Sequence, residues 1–181
     1  QRLNPPEYAT TSWCQAPTRL PELNSNRIEA DMTELYTAPL DPSVPVRVIF
    51  LGGLGEIGRN CMAIEQGAAD DPDRTIMLID CGLMFPDPHH HGIDLILPDF
   101  TYLRENAARI EAIVLTHGHE DHIGAIQYLM RDGDGIGDLR DTPLPVYGSA
   151  LALGLARNRI EEAGLMPKID MRPVKDGEQI D

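Results

Sequence analysis

Residues 116–122 read Thr116-His117-Gly118-His119-Glu120-Asp121-His122, so three of the chain's six histidines fall together with two carboxylates inside one short segment. A solvated loop gains little from imidazoles, which are costly to bury unpaired. A metal site needs them, because neutral imidazole and carboxylate are preferred ligands of Zn²⁺ and also suit Mn²⁺ or Fe²⁺. The spacing has a geometric reason. His117 and His119, at i and i+2 on a chain leaving a strand, can point the same way while Gly118 lets the backbone turn, so one cation can take both rings. Asp121 and His122 begin the next helix, where the chain has changed direction, and face a second position. Paired cations in hydrolases sit ~3.5–4 Å apart and share a hydroxide. A polar loop whose histidines bond backbone groups would explain one histidine, but not this pattern.

Each cation needs more than two donors, since a catalytic site takes about three protein ligands plus water. The remainder must come from elsewhere in the chain. Asp80 ends the apolar run Ile76-Met77-Leu78-Ile79. A carboxylate at the tip of a buried strand needs partners, and the expected role is to orient a metal-bound histidine or its loop. A loop cap is the plainer alternative.

The elements that must position these residues begin at Val46. Val46–Leu51 reads as a strand closed by a glycine-rich turn, Gly52–Gly55. Cys61–Gln66 and Thr75–Asp80 form a hairpin across a polar turn. Residues 82–99 are a Gly/Pro-punctuated loop, Phe100–Ala108 a short helix and Ala112–Thr116 a buried strand. After the histidine loop come a helix over Asp121–Met130, a Gly/Asp loop and a strand at Leu144–Tyr147. Ser149 caps a helix to Ala163, with Gly164 as its stop, and Ile169–Val174 is a final strand. Hairpin strands followed by alternating strand and helix predict a mixed sheet with flanking helices, an α/β (α+β) layer. Residues 1–45, rich in Pro, Asn, Ser, Thr and acids, read as an extended or disordered arm, with a short helix around Ile28–Tyr36.

The bulk composition limits the alternatives. With 42% hydrophobic residues the chain can build a core, and a formal charge of -14 argues against a uniformly basic nucleic-acid surface. It leaves room for a local substrate groove, and most of the charge serves solubility. Cys14, Cys61 and Cys81 show no CxxC spacing; Cys61 and Cys81 sit in apolar runs and read as small core residues. A reduced, cytoplasmic protein is expected, and no apolar run approaches the ~18 residues of a membrane span. A start at Gln1 and an end in the polar run Gly177–Asp181 suggest a piece of something larger.

Four segments together narrow the reading: Leu51-Gly52-Gly53-Leu54-Gly55-Glu56-Ile57-Gly58-Arg59-Asn60, Ile79-Asp80-Cys81-Gly82-Leu83-Met84-Phe85-Pro86, Gly92-Ile93-Asp94-Leu95-Ile96-Leu97-Pro98-Asp99, and Leu115 through Ala125. The HxHxDH run resembles the signature of the metallo-β-lactamase superfamily, and Asp80-Cys81-Gly82 its upstream acidic motif. Jointly the segments resemble the bacterial ribonuclease J family, of the β-CASP branch, which cleaves RNA internally and trims it 5′ to 3′. The likeness covers about residues 46–181 and not the arm.

The resemblance implies that residues 46–181 are the N-terminal part of a metallo-β-lactamase domain, itself part of an αββα sandwich. The remaining metal ligands, the β-CASP insert and a C-terminal domain would lie beyond them. It implies that His117 and His119 bind one Zn²⁺ and Asp121 and His122 a second, with Mn²⁺ possible. Asp121 would also hold or deprotonate the nucleophilic water, and Asp80 joins it as a catalytic candidate. The implied substrate is RNA, the implied reaction phosphodiester hydrolysis, and the implied assembly a homo-oligomer, dimer or tetramer, of the full-length protein. This piece alone is expected to be inactive.

Other features carry less. The Gly52–Gly58 turn serves tight turning or site lining equally well. His89-His90-His91 reads as a solvated loop, with Asp87 and Asp94 as a weak cation site. Phe85 and Tyr102 can stack on bases, with core packing the default. Arg157 and Arg159, near Glu161 and Glu162, read as a mixed-charge solvated face. Two competing functions remain: a small-molecule hydrolase of the same fold, such as a thioesterase or lactonase, and a non-catalytic metal-binding piece.

Overall fold

Six strands hydrogen-bond in chain order into one mixed sheet: β1 (Val46–Gly52), β2 (Cys61–Gln66), β3 (Thr75–Ile79), β4 (Ile110–Val114), β5 (Leu144–Gly148) and β6 (Ile169–Pro173). The computed structural model describes residues 43–68 and 70–180, all within one compact unit, Leu40–Asp181. The expected arm and its helix around Ile28–Tyr36 lie outside the described residues. β1, β2 and β3 pair antiparallel; β3 to β6 pair parallel. The antiparallel pairs need only turns, whereas each parallel pair needs a crossover, and those crossovers carry the helices.

Among the described residues the α-helices are α1 (Thr101–Glu105), α2 (Glu120–Ile123), α3 (Ile126–Leu129) and α4 (Ala150–Glu162). They cover one face of the sheet. Alternate strand residues Ala63, Ile76, Leu78, Ile113, Leu144 and Val146 turn to that face and form one core with helix residues such as Leu103, Ile126, Leu129, Ala156 and Ile160. On the other face Val48, Ile64 and Met77 lie in register across β1–β3, and Val48 and Met77 are exposed. The expected α/β class, a mixed sheet with flanking helices, is met. Cys61 and Cys81 are buried free thiols, as expected of core residues.

Three elements differ from expectation by more than one residue at an end, and in each a side chain or a distant loop takes a backbone partner. β4 runs Ile110–Val114, not Ala112–Thr116. It stops because the Thr116 amide donates to the Asp80 carboxylate (2.8 Å) and leaves the ladder. α1 ends at Glu105, short of Ala108, where Asn106 Nδ2 donates to the Tyr102 carbonyl (2.8 Å) and the chain tightens into a 3₁₀ turn, Ala107–Arg109.

The helix expected over Asp121–Met130 is two short helices. The Asp121 carbonyl accepts from the Asn60 amide (3.0 Å) and the His122 carbonyl from that of Cys81 (2.7 Å), while the Ala125 amide turns to the Cys81 carbonyl (2.9 Å). With these groups drawn into neighbouring loops, the i→i−4 ladder breaks at Gly124–Ala125. α4 matches its expected span: Ser149 Oγ accepts from the Ala152 amide (3.2 Å), and Gly164 follows at φ 69°.

Candidate metal centre

β3 and β4 are parallel neighbours and end at the same level, so the segments that follow them, at Asp80 and Leu115–His119, leave the sheet side by side. The Asp80 amide still bonds the Val114 carbonyl (2.9 Å), but Asp80 itself adopts φ 60°, a left-handed conformation that Asp tolerates better than most residues. That turn swings its carboxylate across to β4. Asp80 is 4% exposed, and its two oxygens accept from the Thr116 amide (2.8 Å), the Thr116 hydroxyl (2.7 Å) and His122 Nδ1 (2.8 Å). A buried carboxylate with three donors is satisfied and holds all three in place.

This network fixes the histidine tautomers. His122 donates from Nδ1 to Asp80, so its Nε2 carries the lone pair. That Nε2 lies 3.5 Å from Asp121 Oδ2. The Thr116 hydroxyl gives its one proton to Asp80 and therefore accepts from His117 Nδ1 (3.0 Å), which leaves a lone pair on His117 Nε2. His117 Nε2 faces His119 Nδ1 at 3.1 Å. The His117 ring sits centrally, 4.0 Å from the His122 ring and 4.6 Å from that of His119 between centroids.

The donors therefore fall into two facing pairs. An ion held tetrahedrally by bonds of about 2.0–2.1 Å places neighbouring ligand atoms roughly 3.3 Å apart. The separations of 3.1 Å in the His117–His119 pair and 3.5 Å in the Asp121–His122 pair bracket that value. Among the described residues no three His, Cys, Asp or Glu side chains are grouped so as to hold one ion. The donors are of the kind that divalent cations take, and the spacing within each pair is compatible with two ligands of one ion.

The loop bearing the pairs is joined by main-chain bonds to two others. Besides the bonds from Asn60 and Cys81, the Leu83 amide donates to the Glu120 carbonyl (3.2 Å) and the Gly82 amide to the Asn60 carbonyl (2.9 Å). The approach is so close that a Cβ on Gly82 would overlap the Asp121 carbonyl. On the far side, a Cβ on Gly118 would come within 2.6 Å of Leu155 Cδ1 on α4, and Arg159 of the same helix pairs with Glu120 (2.6 Å).

Asn60 and Thr116 take places in this site that the sequence did not single out, and Arg159 has a partner there that it did not point to. Asn60 Nδ2 donates to the Asp121 carbonyl (3.0 Å) and Oδ2 (3.1 Å), and lies 3.1 Å from His122 Nε2. Nothing in its spacing marks it, because its partners are some sixty positions away. Arg157 and Arg159 form the mixed-charge solvated face expected of them, Arg157 with Glu161 and Arg159 with Glu120 (2.6 Å each), the second pair tying α4 to the histidine loop. The Gly52–Gly58 turn does both things expected of it: Gly53 turns at φ 82° against Asn60, and Gly58 lines a cleft that also contains Asp121.

The remaining candidates separate from the cluster. His89, His90 and His91 are exposed, with His90 Nδ1 3.1 Å from Asp87 Oδ1. Tyr102 is partly buried and packs against the core, the default expected of it, with its hydroxyl donating to the buried Glu65. Phe85 is 64% exposed, so the core packing expected of it does not occur.

A model of the metallo-beta-lactamase superfamily matches residues 54–147. Among individual proteins the chain is 41% identical to ribonuclease J of Synechocystis over 135 residues, 75% of this chain and 19% of that protein. It is 42% identical to ribonuclease J2 of Bacillus subtilis over 71% of this chain and 20% of the relative, and 43% identical to ribonuclease J of Thermus thermophilus over 70% and 20%. The chain thus spans about a fifth of the length of the curated relatives it matches. The matched region takes in β2 to β4, the Asp80 turn and every member of the two donor pairs, and on that footing the chain belongs to the metallo-β-lactamase superfamily.

Proposed function

We propose that this chain supplies part of a two-cation centre that hydrolyses RNA phosphodiesters, both internally and from the 5′ end, in a ribonuclease of the J type. Membership of the superfamily implies divalent metal use. In this reading His117 and His119 hold one Zn²⁺, and Asp121 and His122 the other, with Mn²⁺ as the alternative ion. The observation that carries it is the pair of facing donor sets, each near the spacing of two ligands on one ion, with lone pairs on His117 Nε2 and His122 Nε2 fixed by Asp80 and Thr116. Sequence identity of 41–43% to ribonuclease J proteins supports RNA as the substrate.

When bound, two divalent cations lower the pKa of water towards neutrality and neutralise charge on phosphoryl oxygens. The chain's own residues prepare that chemistry. Asp80 is a positioning residue: it keeps His122 in one tautomer and one orientation and ties it to the strand end through Thr116. The Asp121 carboxylate, steadied by Asn60, orients the attacking water and can take its proton. Two dications, when bound by His117, His119, Asp121 and His122, would dominate the local field and let an anionic strand approach this acidic chain. Among the described residues no helix is long and apolar enough to cross a membrane, and a cytoplasmic location belongs to the same proposal. The dimer or tetramer implied by the resemblance is read by sedimentation of the full-length protein.

The test uses the natural protein that contains these residues. 5′-Monophosphorylated RNA, thioesters and lactones are offered in parallel, before and after chelation and metal restoration. RNA hydrolysis lost with chelation and regained with Zn²⁺ or Mn²⁺ is expected. Turnover of a thioester or lactone with intact RNA left over would assign the site to a small-molecule hydrolase.

A further inference from the structure

We infer that the cleft between the Gly53–Gly58 turn and the Met84–Phe85 segment seats one unpaired nucleobase of the RNA strand, stacked on Phe85 beside the scissile phosphodiester. The inference rests on the ribonuclease reading above and adds to it a subsite with a named side chain. The cleft has a volume of about 410 Å³, within the ~300–1,000 Å³ of small-molecule pockets. Ile57, Leu83, Met84 and Phe85 form its apolar side, and Glu120 and Asp121 its acidic end. It therefore shares Asp121 with the second donor pair and opens directly from the centre.

Its rim is apolar where a highly charged surface would be expected to be polar. Ile57 is 92% exposed and Phe85 64%, and Leu54, on the same turn, is 73% exposed. Single exposed apolar side chains need no explanation, but a group of them around a concavity marks a binding surface. The walls are preformed. The Met84 amide and carbonyl both bond Ile96 (2.9 Å each), and the Arg59 amide bonds the Leu83 carbonyl (3.1 Å). Gly58 approaches Met84 so closely that an added Cβ would lie 2.9 Å from Met84 Cβ.

Charge selects the occupant. Among the described residues lining the cleft there is no lysine or arginine. Arg59, next to Gly58, is held by Glu56 through bonds of 2.9 and 2.6 Å, and Arg159 is held by Glu120. A phosphate placed here would meet two carboxylates and no cation of the chain. The neutral, flat part of a nucleotide meets an aromatic face and aliphatic walls instead. Stacking of a base on an aromatic ring is tolerant of sequence, because every base has a π-face, and the apolar side offers no donor–acceptor pattern to tell bases apart.

The experiment measures cleavage of single-stranded 5′-monophosphorylated RNA by the natural full-length protein and by its F85A, F85L and F85W variants. A single abasic nucleotide is walked through the positions flanking the cleaved bond. In the wild type one abasic position is expected to raise KM by about 5- to 100-fold, the range of one base–aromatic stack, with kcat changed far less. F85A and F85L should raise KM for intact RNA to a similar extent and become blind to the abasic position, and F85W should restore both. Structural damage alone would lower kcat and leave the abasic penalty in place; that result, or an unchanged KM in F85A, overturns the inference. If RNA is cleaved normally and no position shows a penalty, only this inference fails. If RNA is not cleaved at all, the ribonuclease reading fails and takes the inference with it.

Discussion

Asn60 and Asp121 are joined by three hydrogen bonds: the Asn60 amide to the Asp121 carbonyl (3.0 Å), and Asn60 Nδ2 to both that carbonyl (3.0 Å) and Oδ2 (3.1 Å). One residue at the end of the glycine-rich turn thereby sets the backbone and the carboxylate of a metal-ligand candidate. The main-chain bond draws the Asp121 carbonyl out of its helix, which is why the turn after His119 is short and leaves Asp121 and His122 facing one another.

Replacing Asn60 with alanine keeps the main-chain bond and removes the other two. Loss of a hydrogen bond to a charged group costs about 1.5–3 kcal/mol where the group stays buried, and Asp121 is partly solvated, so the lower end is expected for stability. The larger effect falls on metal affinity, which should weaken by about 10- to 100-fold, as for other partners that orient metal ligands. Zinc titration of the full-length variant against a chromophoric competitor reads this directly. Unchanged affinity in N60A would remove Asn60 from the centre.

Asp80→Asn tests the tautomer argument. The asparagine side chain would present either an amide nitrogen or a neutral oxygen to His122 Nδ1, so the ring loses its strong acceptor and Nε2 becomes protonated in part of the population. Metal affinity should fall by about 10- to 100-fold, and hydrolysis with it. In the metal-free protein, the ¹⁵N shifts of His122 should move from the Nδ1–H pattern towards a mixed one. A retained Nδ1–H signature in D80N would show that something other than Asp80 fixes this ring.

Much of this frame was legible in the sequence because it follows from local pattern. The apolar runs of β2, β3 and β5 and the Ser149 and Gly164 caps of α4 depend on neighbours in the chain. The donor residues were legible for a chemical reason, since imidazoles and carboxylates at this density have few other uses. The split of the helix after His119 and the parts played by Asn60, Thr116 and Arg159 were not, because each depends on a bond between loops far apart in sequence. Phe85 misled for a related reason: an aromatic residue is expected in the core by default, and only the assembled cleft shows it placed outside.

Glu65 gives stability a defined pH dependence. It is fully buried, with Arg47 Nε donating to it at 2.9 Å, Arg74 within 3.5 Å and the Tyr102 hydroxyl also bound. Burial pushes its carboxyl up, but the bonds from Tyr102 and Arg47 and the charges of both arginines outweigh that and hold it below its ordinary value. The stabilisation is therefore fully present above the unfolded value of ~4.3 and is lost as pH falls through the folded value. E65Q should cost about 1–3 kcal/mol at pH 7, with the difference from wild type shrinking below about pH 4. Urea melts at both pH values decide it, and a difference that does not depend on pH would refute the charged pairing.

The same contact makes one tyrosine stand out at high pH. Burial and the hydrogen bond to the Glu65 carboxylate push the Tyr102 phenol up to about 12, because ionising it would set a second negative charge beside the first in a partly dry site. With the folded value raised, the stabilising effect is present below the unfolded value of ~10 and is lost as pH rises through about 12. In a spectrophotometric titration of phenolate absorbance, one of the chain's five tyrosines should ionise last. Tyr102→Phe should abolish that late step and leave the earlier ones in place. Should the late step persist in the variant, the assignment to Tyr102 is wrong; should it instead move to lower pH in E65Q, Glu65 is confirmed as the group that holds the proton on.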